Sequence, residues 1–445
     1  MVKRFGKLCL MAFLAISCLC ACRDGTGKDT ENIISSEEPD SMVNTEAEEE
    51  EKTVLRWALW DGQAVSYWED LADAYMEKHQ DVQIELVDLG SGDYSDTLAT
   101  EISVKNSKFD LLTIKDMPGY VTLVAKGALE PLNDRIESDG IDLSLYRGIA
   151  EQLKADGELY QMPFRNDLWV LYYNKDLFDA AGVPYPDNHM TLEEYDEMVR
   201  AVAQEDSDRG RIYGAHYHIW RSTVQLFGIL DGEHSILDGN YDFTKPYYEM
   251  VKAQEKDGIC RTYVDTNVSQ LHYTAAFAAG NTATMNMGSW YIANLLTGLS
   301  NGEFDREKCG NWGIVRYPLP EGAQDGATIG TITGIGVSSE SENKEEAWEF
   351  VKFATGEEGA EIVAAAGAIP AIASEKALDI ITGLEGFPQD EESREALTAS
   401  QIYLEAPYDS RMSEINTILD EYHKDIMDGS ISIDAGIQKM NEEIK

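Results

Sequence analysis

Apolar residues fall along this chain in short runs that alternate with longer stretches of helical period, and the two patterns take turns from residue 53 onward. Val54–Trp60 reads as a buried strand, and Trp68, Leu71, Ala72, Tyr75 and Met76 then recur at helical spacing. Val82, Ile84 and Leu86 alternate as a second strand, and Phe109–Ile114 forms a third. Helical stretches between strands imply βαβ units and a parallel sheet with right-handed crossovers. Ligands bind such sheets beyond the carboxyl ends of the strands, which singles out Trp60, Asp61, Lys115 and Asp116.

The central stretch is Gly157–Val183. It reads as a polar turn at Asp156 and Gly157, a Pro-containing segment, a nearly continuous apolar run Leu168–Tyr173, and a helix start capped by Asn174 or Asp176. A run that long without alternation fits a strand buried on both faces. Arg165, Asn166 and Asp167 cannot all be buried unpaired at bearable cost, so they line a cleft or pair with one another. The plain alternative is a loop before a core strand. Further on, Leu192–Ala203 is helical and Tyr213–Trp220 is rich in aromatic and imidazole groups. A helix with Val224, Leu226, Phe227 and Ile229 follows, then a strand Thr282–Met287. Gly288 leaves the next turn free of side-chain bulk, and Ser289 can cap the helix that Trp290 opens. Thr328–Ser338 is a Gly-rich strand, and amphipathic helices are predicted over Glu345–Thr355, Met412–Met427 and Ile433–Ile444.

The string Leu171-Tyr172-Tyr173-Asn174-Lys175-Asp176-Leu177-Phe178, followed by Ala181-Gly182-Val183-Pro184 and Thr191-Leu192-Glu193-Glu194-Tyr195, resembles the family 1 extracellular solute-binding proteins of ABC transporters, relatives of maltose-binding protein. The resemblance implies a two-lobed periplasmic-binding-protein-like α/β fold of type II, each lobe a mainly parallel sheet flanked by helices. Asn311–Tyr317 with Pro318-Leu319-Pro320 would be the return crossing, and Gly367–Pro370 a third passage. The implied division is an N-terminal lobe of residues 53–165 and 321–370 and a C-terminal lobe of 166–320 and 371–445. Position by position, the family implies ligand contacts from Trp60 and Asp61 after the first strand and Asp116 after the third. It adds Asp167 at the crossing, Trp220 on the second lobe and Trp290 as the stacking ring, with Thr331 and Thr333 facing the cleft. Tyr408 and Arg411 precede a helix where the family often supplies another contact, although Ala406-Pro407-Tyr408 departs from its pattern. For Trp60, Trp220 and Trp290 the alternative is core packing.

The N-terminus changes the expected location. Lys3, Arg4 and Lys7 precede an apolar run Leu8–Ala21, the layout of a secretory signal peptide over 1–21. Leu19-Cys20-Ala21-Cys22 resembles a bacterial lipobox with Cys22 as the acylated residue. Cys18 and Cys20 lack a Leu three places before them, and a cleaved signal without lipid is the alternative. Residues 23–52 hold eleven acidic and three basic residues and almost no large apolar group, so 22–52 reads as a lipidated cysteine with a disordered acidic tether. The chain of 445 residues, enough for two lobes, has 36 Lys+Arg against 81 Asp+Glu, a net charge of −45. Such a field repels phosphate backbones and argues against nucleic-acid binding. Cys260 and Cys309 remain for the folded body, where an exported chain permits one disulfide.

No G-x-S-x-G elbow, Walker A loop or H-E-x-x-H pair is present, and Gly330–Gly336 lacks the G-x-G-x-x-G spacing. His216 and His218 alternate as two metal ligands on a strand would, but without a nearby third ligand a surface or satisfied pair is the expectation. No catalytic residue, metal or cofactor is therefore assigned. The expected protein is a monomeric, lipid-anchored carbohydrate binder on the outer face of the cell membrane. It would capture an oligosaccharide between its lobes and hand it to an ABC permease. Rival readings are the same fold binding a polyamine, peptide or anion, the last using Arg165; a secreted glycoside hydrolase; and an adhesin or sensor subunit with a degenerate pocket.

Overall fold

The computed structural model describes residues 52–62, 65–90, 93–104, 109–207 and 209–445. The signal peptide, Cys22 and nearly all of the tether lie outside the described residues. Ten strands are defined among those described: β1 (Thr53–Leu59), β2 (Val82–Asp88), β3 (Leu111–Ile114), β4 (Met162–Asn174), β5 (Gln204–Asp206), β6 (Gly210–His216), β7 (Thr282–Gly288), β8 (Trp312–Arg316), β9 (Ala327–Val337) and β10 (Gln401–Leu404). They run in the order β2-β1-β3-β9-β4-β7-β6-β5, with β10 beside β9 and β8 beside β4. β1 is parallel to β2 and β3, and β6 is parallel to β7. β9 is antiparallel to β3 and β4, and β4 is antiparallel to β7 and β8. Helices join the parallel strands, Tyr67–Lys78 between β1 and β2 and Tyr94–Glu101 between β2 and β3, as the alternating periods predict.

β4 belongs to both lobes. Met162–Leu168 pairs with β9 in the first, and Trp169–Asn174 pairs with β7 and β8 in the second. Twelve of its thirteen residues are buried, as a strand apolar on both faces requires. It is longer than the Leu168–Tyr173 run because the polar triplet Arg165–Asp167 continues the ladder. The register shifts between Pro163 and Arg165, which leaves Phe164 out of the β9 pairing. Ile369–Ala371, part of and just past the expected third passage, closes the free edge. Asn166 N–H donates to the Ile369 carbonyl at 2.9 Å, and Ala371 N–H to that of Phe164 at 3.0 Å. β10 lies in the stretch 371–445 expected in the C-terminal lobe, yet it pairs with β9 of the first.

Each lobe has its own aromatic core. Trp57 sits edge-on to Trp68 at 5.2 Å and to Phe350 at 4.9 Å, and Trp68 and Trp348 are buried, as their helical spacing predicts. In the second lobe Tyr172 stacks on Trp312 and meets Tyr291 edge-on. The segment predicted as a helix over Val224–Ile229 is one α-turn, Ser222–Gln225, followed by a 3-10 stretch Leu226–Asp231. Every residue from 221 to 230 is buried, so packing from all sides, not one apolar face, sets its shape. Cys260 and Cys309 are both buried free thiols rather than a disulfide. No helix among the described residues is long and apolar enough to cross a membrane.

His216 and His218 are buried instead of lying on the surface, and neither ring nitrogen of His216 has a hydrogen-bond partner. Among the described residues no cluster of three His, Cys, Asp or Glu could hold a metal ion. Burial pushes His216 down to about 3, with His218 and Arg261 adding repulsion, and His218 down to about 4, with His272 adding to it. Burial likewise takes His423, beside Arg221, to about 3. Unfolded imidazoles take up protons near pH 6.5 whereas these resist until far lower, so their neutral forms stabilise the fold fully above pH 6.5 and progressively less below it. The apo Tm should therefore fall as pH drops from 6.5 toward 4, the unfolding free energy losing up to about 1.4 kcal/mol per pH unit for each imidazole. His216→Leu should flatten that slope in a melting series across this range; an unchanged slope would contradict the assignment.

Candidate functional site

The carboxyl ends of β1 and β3 place Trp60, Asp61, Lys115 and Asp116 on one rim. Trp60 is buried, 5.6 Å from Trp68 and 4.9 Å from Tyr94, and the Lys115 ammonium lies 5.3 Å from its ring centre. The indole thus packs in the first lobe and seats a cation. Asp61 follows in a left-handed turn, φ 51°. Asp116 caps the helix Met117–Ala125 by accepting from Gly119 N–H at 2.7 Å, and it accepts from Ser95 Oγ at 2.8 Å.

At the crossing, Asp167 lies opposite Thr331 and Arg165 opposite Thr333 in the β4–β9 ladder. Arg165 Nη2 is 3.2 Å from Asp167 Oδ2, and its Nη1 donates to Tyr67 Oη at 2.8 Å. Burial raises the Asp167 carboxyl above the usual carboxylate range while Arg165 draws it back, and burial also raises Tyr67. Arg165 and Asp167 therefore pair with one another, one of the two outcomes the sequence allowed, whereas the buried Asn166 side-chain amide has no hydrogen-bond partner. Thr333 is buried, whereas Thr331 reaches the cleft.

On the second lobe, the Gly288-Ser289-Trp290 turn has a different logic from a cap. Ser289 N–H donates to the Leu168 carbonyl at 2.7 Å, and Leu168 N–H donates to Ser289 Oγ at 3.1 Å, so the hydroxyl pins β4 and makes no capping bond. A Cβ on Gly288 would lie 1.9 Å from Trp290 Cζ3, so only glycine lets the indole fold back over the turn. Trp290 is half-buried, edge-on to Trp169 at 5.6 Å and tilted toward Trp220 at 6.3 Å; Trp220 is 37% exposed. Tyr408 packs edge-on against Tyr120, and Arg411 is held by Asp409 and the Lys445 carbonyl.

Between the lobes lies a chamber of about 220 Å3 whose polar walls are Lys115, Asp116, Arg221, Thr331, Glu405 and Asn416. It adjoins a second space of about 300 Å3, bounded by Asp93, Ser95, Asp96 and Ser413 and sharing Lys115 and Asp116. Arg221 is 6% exposed; it donates to Asn416 Oδ1 at 2.6 Å and stands 3.4 Å from Asp420. Burial raises the Asp420 carboxyl while Arg221 opposes the rise. Glu405 accepts from Trp169 Nε1 at 3.2 Å and from Ser222 Oγ. Of the residues expected from sequence, Asp116 and Thr331 line the chamber; Trp290 does not, and packs on Trp169, whose indole N–H holds Glu405. Trp60, Asp61, Asp167, Trp220, Thr333, Tyr408 and Arg411 are not among its walls. Arg221, Glu405 and Asn416 are the residues that sequence reasoning missed. Asn416 carried a signal, a polar residue within the apolar stripe of Met412, Ile415 and Leu419.

Residues 60–361 match the family model described as bacterial extracellular solute-binding protein. A sugar transporter of Rhizobium etli, solved in an open conformation, superposes with a TM-score of 0.84 at 41% identity, over 88% of this chain and 99% of that one. An ABC substrate-binding protein of Listeria monocytogenes in complex with cycloalternan superposes at 0.70 over 88% and 98%, and at 19% identity this is a likeness of fold. The mannitol-binding protein of Pseudomonas aeruginosa is 29% identical over 160 residues, 36% of each chain. The sn-glycerol-3-phosphate-binding periplasmic protein of Brucella abortus is 26% identical over 293 residues, 61% of this chain and 63% of that protein. The chain thus spans between about a third and just under two thirds of the length of these curated relatives. The family consists of binding proteins, not enzymes, which removes the glycoside-hydrolase reading. A strand shared by two lobes, a chamber beside it walled from both, and a family match over most of the described residues converge: this chain belongs to the bacterial extracellular solute-binding proteins.

Proposed function

We propose that this protein captures a carbohydrate between its lobes outside the cell and delivers it to an ABC permease, tethered to the membrane through lipidated Cys22. The observation that carries this reading is the chamber itself. Donors and acceptors from both lobes, Lys115, Asp116 and Glu405 from the first and Arg221 and Asn416 from the second, converge on a space beside the shared strand. Acidic and basic groups balance there, which suits a solute rich in hydroxyls and without net charge. Trp220, which precedes the wall residue Arg221, and Trp290, 6.3 Å from it, lie outside the chamber walls and would extend the site with the flat apolar surface that the C–H face of a sugar ring packs against. The names of the Rhizobium etli and Pseudomonas aeruginosa relatives point the same way. On this reading, binding energy shifts an open–closed equilibrium, and the permease recognises the closed form.

Thermal-shift screening of the body from Thr53 onward against mono- and oligosaccharides, sugar alcohols, amino acids and polyamines tests this directly. A ligand at 100 times its Kd should add about 2.7 kcal/mol of stability. Stabilisation by polyamines or amino acids alone would overturn the carbohydrate assignment. Metabolic labelling with a fatty-acid analogue should mark the wild type and not Cys22→Ala, and equal labelling of both would reject the anchor. Trp290→Ala should weaken binding of the best sugar by about 10- to 150-fold, from roughly 1.5–3 kcal/mol of burial and stacking. Its apo melt should move by less than the roughly 3–5 kcal/mol that deleting a core tryptophan costs. A strongly lowered melt with near-normal affinity would make Trp290 a packing residue only.

A further inference from the structure

Glu405 stands out among the chamber walls because its carboxylate is gripped from behind. Trp169 Nε1 donates to Oε2 at 3.2 Å and Ser222 Oγ donates to Oε1, so each oxygen has one donor from the second lobe and keeps further acceptor capacity. Its own N–H donates to the Gly330 carbonyl at 3.0 Å, which fixes its backbone to β9 of the first lobe. No cation pairs with it among the described ion pairs, and Arg221, the residue before Ser222, is held by Asn416 and Asp420. A carboxylate oriented by two neutral donors and lining a chamber that also offers the apolar side chains of Met117, Ile332 and Leu404 is pre-organised to accept from something placed in that space.

We propose that Glu405 is a ligand-orienting residue that accepts hydrogen bonds from two neighbouring hydroxyls of the bound solute, with Trp169 and Ser222 as its positioning residues. This rests on the carbohydrate reading above and extends it to the pattern recognised, a pair of adjacent hydroxyls presented to one carboxylate. The arrangement also carries a mechanical consequence. Trp169 is the residue at which β4 leaves β9 for β7 and β8, and it packs edge-on against Trp290. A solute drawn onto Glu405 therefore acts on a group tied by its backbone to one lobe and by its side chain to the other.

The test uses Glu405→Gln, which keeps the shape and lets the amide still meet the indole N–H and the Ser222 hydroxyl, together with Ser222→Ala. Calorimetric titrations with glucose, mannitol, maltose and mannobiose are run on the wild type and both variants, with apo Tm measured alongside. For whichever of these probes the wild type binds, Glu405→Gln should raise Kd about 10- to 100-fold with the apo Tm nearly unchanged. Ser222→Ala should raise it by a smaller factor, since the carboxylate keeps one of its two tethers. Wild-type affinity in Glu405→Gln, with or without a lowered Tm, would show that the carboxylate only satisfies Trp169 and Ser222. That result overturns this proposal and leaves the carbohydrate reading standing. If the wild type binds none of the probes and no other sugar, the carbohydrate reading falls and this proposal falls with it.

Discussion

The fold depends on one strand satisfying two sheets. Backbone N–H and C=O groups buried in β4 must all be paired, and the chain achieves this by handing the strand from β9 to β7 and β8 between Leu168 and Trp169. The β9 ladder ends at Leu168 and the β7 ladder begins at Trp169, and the reciprocal bonds between Leu168 and Ser289 tie the two together at the changeover. In the proposed closure, a rotation about this point would move the lobes while leaving both ladders intact, because hinges of this kind absorb motion in a few backbone torsions instead of breaking buried hydrogen bonds. The Arg165–Asp167–Tyr67 cluster beside it serves the same constraint: a buried carboxylate and guanidinium here are tolerable because each is the other's partner.

The chamber follows from that hinge. Its walls come from the β3–helix turn, the middle of β9, the stretch after β10, the turn before Ser222 and the helix Met412–Asp428, five segments far apart in sequence. Most of the side chains with a polar tip in the chamber have a second contact that fixes it: Asp116 on Gly119 and Ser95, Arg221 on Asn416 and Asp420, Glu405 on Trp169 and Ser222, and Lys115 over Trp60. Pre-organisation of this kind lowers the ordering cost at binding, because the side chains lose little further freedom when a solute arrives.

Local period made the fold legible. β1, β2, the helix Tyr67–Lys78 and the helix Met412–Asp428 fall within a few residues of their apolar patterns, since each buries one clear face. The patterns misled where burial is complete, at Ser222–Leu230, because a segment enclosed on all sides carries no period. The site was legible only in part, for a related reason. Trp60 and Asp116 stand where strand ends predict them, but the order of residues could not say that Trp60 faces inward onto Trp68 and Tyr94 while Asp116 faces the cleft. Glu405 is one acidic residue among 81 Asp and Glu, and only the Trp169 indole and the Ser222 hydroxyl, 236 and 183 positions away, distinguish it.

That excess of acid bears on what the chamber selects. A net charge of −45 surrounds the cleft with a negative potential that draws small cations toward the protein and repels anions, whatever the cleft itself contains. Specific recognition has to be independent of this background. The chamber achieves that locally, with Lys115 and Arg221 set against Asp116 and Glu405, so its wall carries no net formal charge although the chain has more than twice as many acids as bases. An ionic solute would pay to desolvate its charge without meeting an uncompensated opposite charge. A neutral polyol pays only for hydroxyls that find fixed donors and acceptors, and its affinity is decoupled from the surface field that the rest of the chain generates.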